Sequence, residues 1–141
     1  MIREKIRIIV FEDDPALGTL LKQVLIHKGY DVRIFSNPTA CVVFSDHGTQ
    51  CSQHSPCADI ILTDHMMPNM TGIDFLKFQR MRGCKALDVN KAVITGSVIN
   101  KELMDTIDSL GCKIFRKPFK IAEILKWIDE CAGRILKSAQ P

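Results

Sequence analysis

With 141 residues, 46% of them hydrophobic and 25% charged, the chain has the size and balance of one globular domain able to bury about two-thirds of its unfolded surface, which excludes disordered and fibrous classes. Its formal charge of +3 is small and its Lys and Arg residues are spread along the chain, so nucleic acid is not expected as a direct partner. No stretch is long enough to span a bilayer, and the short apolar run 6–11 is followed at once by three acidic residues, so a cytoplasmic protein whose six cysteines stay reduced is expected.

A β-branched run at 6–11 reads as the first strand and leads directly into Glu12-Asp13-Asp14. Leu17, Leu20, Leu21, Val24 and Leu25 then keep the i, i+3, i+4, i+7, i+8 spacing of one apolar helical stripe. Asp14 suits its N-cap, Pro15 its first turn and Gly29 its end. A second strand is expected over 31–35, and a weaker helical pattern follows Pro38.

The third strand, 59–63, runs into Asp64, and a second weak helix candidate follows Gly72. The fourth strand, 92–95, ends on Thr95. A helix over 100–110 then places Leu103, Met104, Ile107 and Leu110 on one side and closes on Gly111. The fifth strand, 113–116, delivers Lys117 and Pro118. A last amphipathic helix from about 120 carries Ile121, Ile124, Leu125, Ile128 and Ile135.

Strand and helix thus alternate five times, with strands that read as buried on both faces. This is the pattern of an α/β fold, a doubly wound five-stranded parallel sheet with helices on both faces, expected as a single domain over 1–141 with its core at about 5–132. In such sheets ligands bind beyond the carboxyl ends of the strands, where strand order reverses. Glu12, Asp13, Asp64, Thr95 and Lys117 all fall at those ends.

Carboxylates brought together there repel by roughly 4 kcal/mol per pair at a protein surface, so they call for protonation or a cation. Short acidic side chains offering only oxygen suit Mg²⁺ or Mn²⁺. A carboxylate beside such an ion can act as a nucleophile toward a phosphoryl group, with Lys117 adding charge and the Thr95 hydroxyl a hydrogen bond.

The ordered set Glu12-Asp13, Asp64-His65-Met66-Met67-Pro68, Thr95-Gly96 and Lys117-Pro118-Phe119 resembles the response-regulator receiver family of two-component signalling, over about residues 5–132. The resemblance implies a flavodoxin-like strand order 2-1-3-4-5 with Asp64 as phosphoacceptor. It also implies that Asp13, Asp64 and the backbone carbonyl of Met66 bind Mg²⁺ directly, with Glu12 acting mostly through water. Lys117 is then expected to pair with the phosphoryl group, Thr95 to move toward it, and the Lys117-Pro118 bond to be cis. The implied phosphoryl source is a histidine kinase or histidine phosphotransfer protein, and the downstream output protein or domain is unknown.

At the position three before the site lysine, where the family commonly has an aromatic switch residue, this chain has Ile114. A stiff β-branched side chain has little reason to alternate between wet and dry positions, so Ile114 is expected to stay buried, with the 96–100 loop relaying the Thr95 shift. A second departure is the long polar segment 45–57, whose His47, Cys51, His54 and Cys57 leave open a zinc site or a Cys51/Cys57 redox pair. A plain exposed loop is expected there, because the spacing matches no standard zinc module.

Asp14 is read as a cap and not as a ligand, Asp59, Asp74, Asp105 and Asp108 as solvated or capping, and His65 as a surface bystander. Lys101, Lys113, Arg116, Lys117, Lys120 and Lys126 are expected to be a solvated surface rather than a docking face. Two other functions compete. An aspartyl phosphohydrolase would need a second Asp two residues beyond Asp64, where Met66 stands, and a constitutive interaction module would not need the complete acidic, Thr and Lys set.

Overall fold

The computed structural model describes residues 5–38, 41, 57–67, 70–96 and 100–138. In chain order these form β1 (Arg7–Phe11), α1 (Pro15–His27), β2 (Asp31–Phe35), β3 (Ile60–Asp64), α2 (Gly72–Met81), a 3₁₀ turn (Asp88–Asn90), β4 (Lys91–Thr95), α3 (Lys101–Leu110), β5 (Lys113–Arg116) and α4 (Ile121–Ser138). The strands are all parallel, in the order β2-β1-β3-β4-β5. The chain reverses its direction of sheet growth between β2 and β3, so the crevice of the topological switch opens above β1 and β3.

Alternation along each strand divides the core into two layers. Ile8 and Val10 of β1, Ile60 and Leu62 of β3 and Ile94 of β4 point to the side covered by Leu21 and Leu25 of α1 and by Ile124 and Ile128 of α4. Phe11, Ile61 and Val93 point the other way, toward Phe75, Ile73 and Leu76 of α2 and Ile107 and Leu110 of α3. Full burial of one such side chain contributes roughly 1.5–3 kcal/mol before chain entropy is set against it. Phe11 and Phe75 meet edge to face with ring centroids 4.8 Å apart, which locks the start of α2 against the end of β1.

The expectation of strands buried on both faces holds at the centre, where every residue of β3 and β4 is buried. It fails at the edges: Asp31 and Arg33 of β2 and Lys113 and Arg116 of β5 are exposed. An edge strand has a sheet neighbour on one side only, so its outward side chains reach solvent past the covering helices.

Helix ends follow the expected chemistry. Asp14 Oδ1 accepts from the Ala16 N–H at 3.0 Å, and Gly29 takes φ +96° after the C-cap Lys28. Asn100 caps α3 through the Leu103 N–H, and Gly111 closes it at φ +78°. The weak candidate at 72 proves a full helix, capped by Thr71. The helix expected after Pro38 falls largely outside the described residues, as do His47, Cys51 and His54, while Cys57 is exposed. Of the two roles expected for Asp59, solvated or capping, it is not simply solvated: its carboxylate accepts from the Arg7 N–H at 2.9 Å and lies 3.7 Å from Arg7 Nε, tying the start of β3 to β1. Asp74, Asp105 and Asp108 are exposed as expected.

Candidate functional site

β1 stops at Phe11, but the Glu12 N–H still donates to the Phe35 carbonyl of β2 at 2.9 Å. That bond holds Glu12 over the sheet end with 3% of its surface exposed, while Asp13 turns out to solvent. Asp64 is the last residue of β3 and is buried. Since β1 and β3 are neighbours, one carboxylate oxygen from each of Glu12, Asp13 and Asp64 lies within 4.8 Å of the others.

Burial, then the hydrogen bond and charge of Asp64, raise the Glu12 carboxyl from 4.5 to about 8, against the opposing Asp14 N–H and Lys117. One Glu12 oxygen accepts from the Asp14 N–H at 3.3 Å, whereas Oε1 is buried with no hydrogen-bond partner. Three carboxylates, all-oxygen donors and one buried oxygen left over make a set that fits a hard divalent cation such as Mg²⁺.

The Asp64 carboxylate is aimed by its own turn. His65 N–H donates to Asp64 Oδ1 at 3.0 Å and to the Ile94 carbonyl at 2.8 Å, and the Thr63 hydroxyl donates to the Asp64 carbonyl at 3.0 Å. Thr95, 1% exposed, ends β4 beside it, and its carbonyl accepts from the Lys117 N–H at 2.8 Å. This bond brings the chain beyond β5 back to the same edge, where the Lys117 side chain passes over Gly96 and the Lys117-Pro118 bond is cis, as expected. The three clustered carboxylates, Thr95 and Lys117 therefore all lie at the carboxyl ends of the strands.

His65 is not the surface residue expected. It is 7% exposed, its Nδ1 is buried without a partner, and burial lowers its pKa against the pull of Asp64 and Asp74. The turn after β3 folds beneath the first residue of α2, whose Gly72 N–H donates to the His65 carbonyl at 2.7 Å. No periodicity marks such a turn residue, so sequence reasoning had no signal for it. Met66 is exposed.

Ile114 is half-buried, packed against the cluster of Ile73, Leu76, Val93, Ile107 and Leu110. Of the 96–100 loop, Gly96 and Asn100 are described. Lys101, Lys113, Arg116, Lys117, Lys120 and Lys126 are all exposed.

A family model of the response regulator receiver domain matches residues 8–129. Chemotaxis protein CheY of Bacillus subtilis (strain 168) is 28% identical over 131 residues, which cover 88% of this chain and 95% of that protein. The chain spans only 47% and 51% of two further curated relatives, one a DNA-binding response regulator and the other a transcriptional regulatory protein. Among solved structures, a CheY-like receiver domain protein from Methanospirillum hungatei JF-1 superposes with a TM-score of 0.72 at 23% identity, covering 96% of this chain and all (100%) of that one. The receiver domain of sensor histidine kinase PA1611 from Pseudomonas aeruginosa PAO1, solved with a magnesium ion in its active-site cleft, gives 0.68 at 21% identity over 92% of this chain and 99% of its own.

Proposed function

The chain belongs to the response regulator receiver family, and from that premise we propose that Asp64 is its phosphoacceptor and that Glu12, Asp13, Asp64 and the Met66 carbonyl form its Mg²⁺ site. The observation that carries this reading is the convergence of three carboxylates within 4.8 Å at the switch point of the sheet, with a Glu12 oxygen buried and unpaired. Asp13 and Asp64 are the direct ligands together with the Met66 carbonyl, and Glu12 acts through water. The magnesium ion described for the PA1611 receiver domain supports the choice of cation.

In the proposed reaction an Asp64 carboxylate oxygen attacks the phosphorus of a phosphohistidine or small phosphodonor, and the bond to the donor breaks with its electron pair leaving on the donor atom. A divalent cation in the pocket supplies charge that offsets both the carboxylates and the phosphoryl oxygens. The His65 N–H holds one oxygen of Asp64 and so fixes the direction from which the other attacks. Lys117 pairs with the phosphoryl group and the Thr95 hydroxyl moves to hydrogen-bond it, which makes the domain a participant in its own phosphorylation and dephosphorylation.

A histidine kinase or histidine phosphotransfer protein is the partner assigned upstream, and an output protein or domain that distinguishes the two conformations is the partner assigned downstream. We assign one receiver unit over about residues 5–132. We assign a cytosolic setting; among the described residues, Cys84, Cys112 and Cys131 are free thiols, the state a reducing compartment maintains. The test is incubation with acetyl phosphate and Mg²⁺, followed by intact-protein mass spectrometry. A phosphoryl adduct labile to hydroxylamine and mapped to Asp64 is expected. Turnover of phosphate esters, or no adduct at all, would overturn the reading.

A further inference from the structure

α2 begins with its first residue pressed onto the peptide of Asp64. A methyl group at Gly72 would lie 2.4 Å from the Asp64 carbonyl oxygen and 3.1 Å from both the Asp64 carbonyl carbon and His65 Cα. Carbon atoms in contact need about 3.5 Å, and these neighbours are backbone, which cannot swing aside as the end of a side chain can.

The peptide cannot shift alone. Thr63 and Gly72 hold the carbonyl oxygens of Asp64 and His65, and the His65 N–H is tied to Ile94 and to the Asp64 carboxylate itself. Any shift of the peptide therefore carries the carboxylate with it. Nor can α2 recede, because Ile73, Phe75 and Leu76 are buried within its first turn and a half, with Phe75 edge-on to Phe11.

We propose that Gly72 is a positioning residue for this site: the missing side chain sets the depth at which the Asp64-His65 peptide lies, and through it the aim of the Asp64 carboxylate. The inference rests on the reading of Asp64 as phosphoacceptor and cation ligand given above. A side chain at 72 displaces the peptide by roughly 1 Å, and a misplacement of that size at a reacting atom costs on the order of 100-fold in rate.

The experiment compares the full chain with Gly72→Ala and, as a control, Gly133→Ala, whose added methyl meets nothing within 4 Å. Folded fraction is read by circular dichroism, with sucrose added to hold the folded state where needed. Mg²⁺ affinity is read by calorimetry, and the acetyl phosphate labelling rate is normalised to the folded fraction. Gly72→Ala should fold, label about 10- to 100-fold more slowly and bind Mg²⁺ more weakly, while Gly133→Ala matches the parent.

Wild-type labelling and Mg²⁺ affinity in Gly72→Ala would overturn the inference. So would a labelling loss that merely tracks the unfolded fraction, or a variant that stays unfolded in sucrose, since the contact would then hold the fold and not the site. If the parent chain itself took no label, the phosphoacceptor reading would fail separately, and equal Mg²⁺ affinities would still decide against the role of Gly72.

Discussion

Replacing Glu12 with Gln should remove a pH-dependent instability from the cation-free protein. With its carboxyl raised from 4.5 in the unfolded chain to about 8 in the fold, Glu12 gives the folded state more bound proton than the unfolded state over the whole interval between those values. The associated stability is therefore fully present below 4.5 and is lost as pH rises through 8. Worked for one independent carboxyl, the loss between about pH 6 and about pH 8 comes to roughly 2 kcal/mol, an upper figure because Glu12 shares its hydrogen bond with Asp64. Urea denaturation in EDTA across that range should show parent stability falling relative to Glu12→Gln by up to this amount. Taking the difference cancels His65, which burial pushes the opposite way. Saturating Mg²⁺ should abolish the fall, because the ion takes the place of the proton, and apparent Mg²⁺ affinity should climb over the same interval. Parallel stability curves for parent and Glu12→Gln would refute the argument that burial beside Asp64 holds a proton on Glu12.

Asp64→Asn should abolish labelling by acetyl phosphate while the domain keeps a cooperative urea transition, since it removes the nucleophile and relieves like-charge repulsion; a variant labelled as fast as the parent would rule out the assignment. Asp13→Ala should weaken Mg²⁺ binding and labelling together, by about tenfold or more, because both draw on one ion; unchanged affinity in calorimetry would mean the cation sits elsewhere. Structures with and without beryllofluoride and Mg²⁺ should keep Ile114 packed on Val93 and Ile107 while the backbone from 96 to 100 moves. A swing of Ile114 between solvent and core over an unmoved loop would refute that relay.

The parts of the molecule written in local chemistry were legible without coordinates. Asp14, Pro15, Asn100 and Gly111 cap or bound their helices through bonds spanning four residues or fewer, so their effect follows from residue type and spacing. The five strands were likewise readable, within one residue at either end, because β-branched runs bounded by turn residues announce themselves locally. The candidate site was legible as a set of strand-end residues, and its family resemblance supplied the strand order that joins them.

What the residues alone could not supply was adjacency between distant segments. Glu12 and Asp64 stand 52 positions apart, and the charge of Asp64 helps raise the Glu12 carboxyl because β1 and β3 pair side by side. Asp59, read as solvated or capping, reaches across that pairing to Arg7, and β2 and β5 became half-exposed because sheet order put them at the edges. His65 is buried in the turn that leads to α2, and Gly72 acquired its tight fit against Asp64 from the packing of that helix. Capping and periodicity act within a turn or two of chain and so can be read along it, whereas burial, charge coupling and steric fit depend on which surfaces meet, and that was decided only when the helices closed on the sheet.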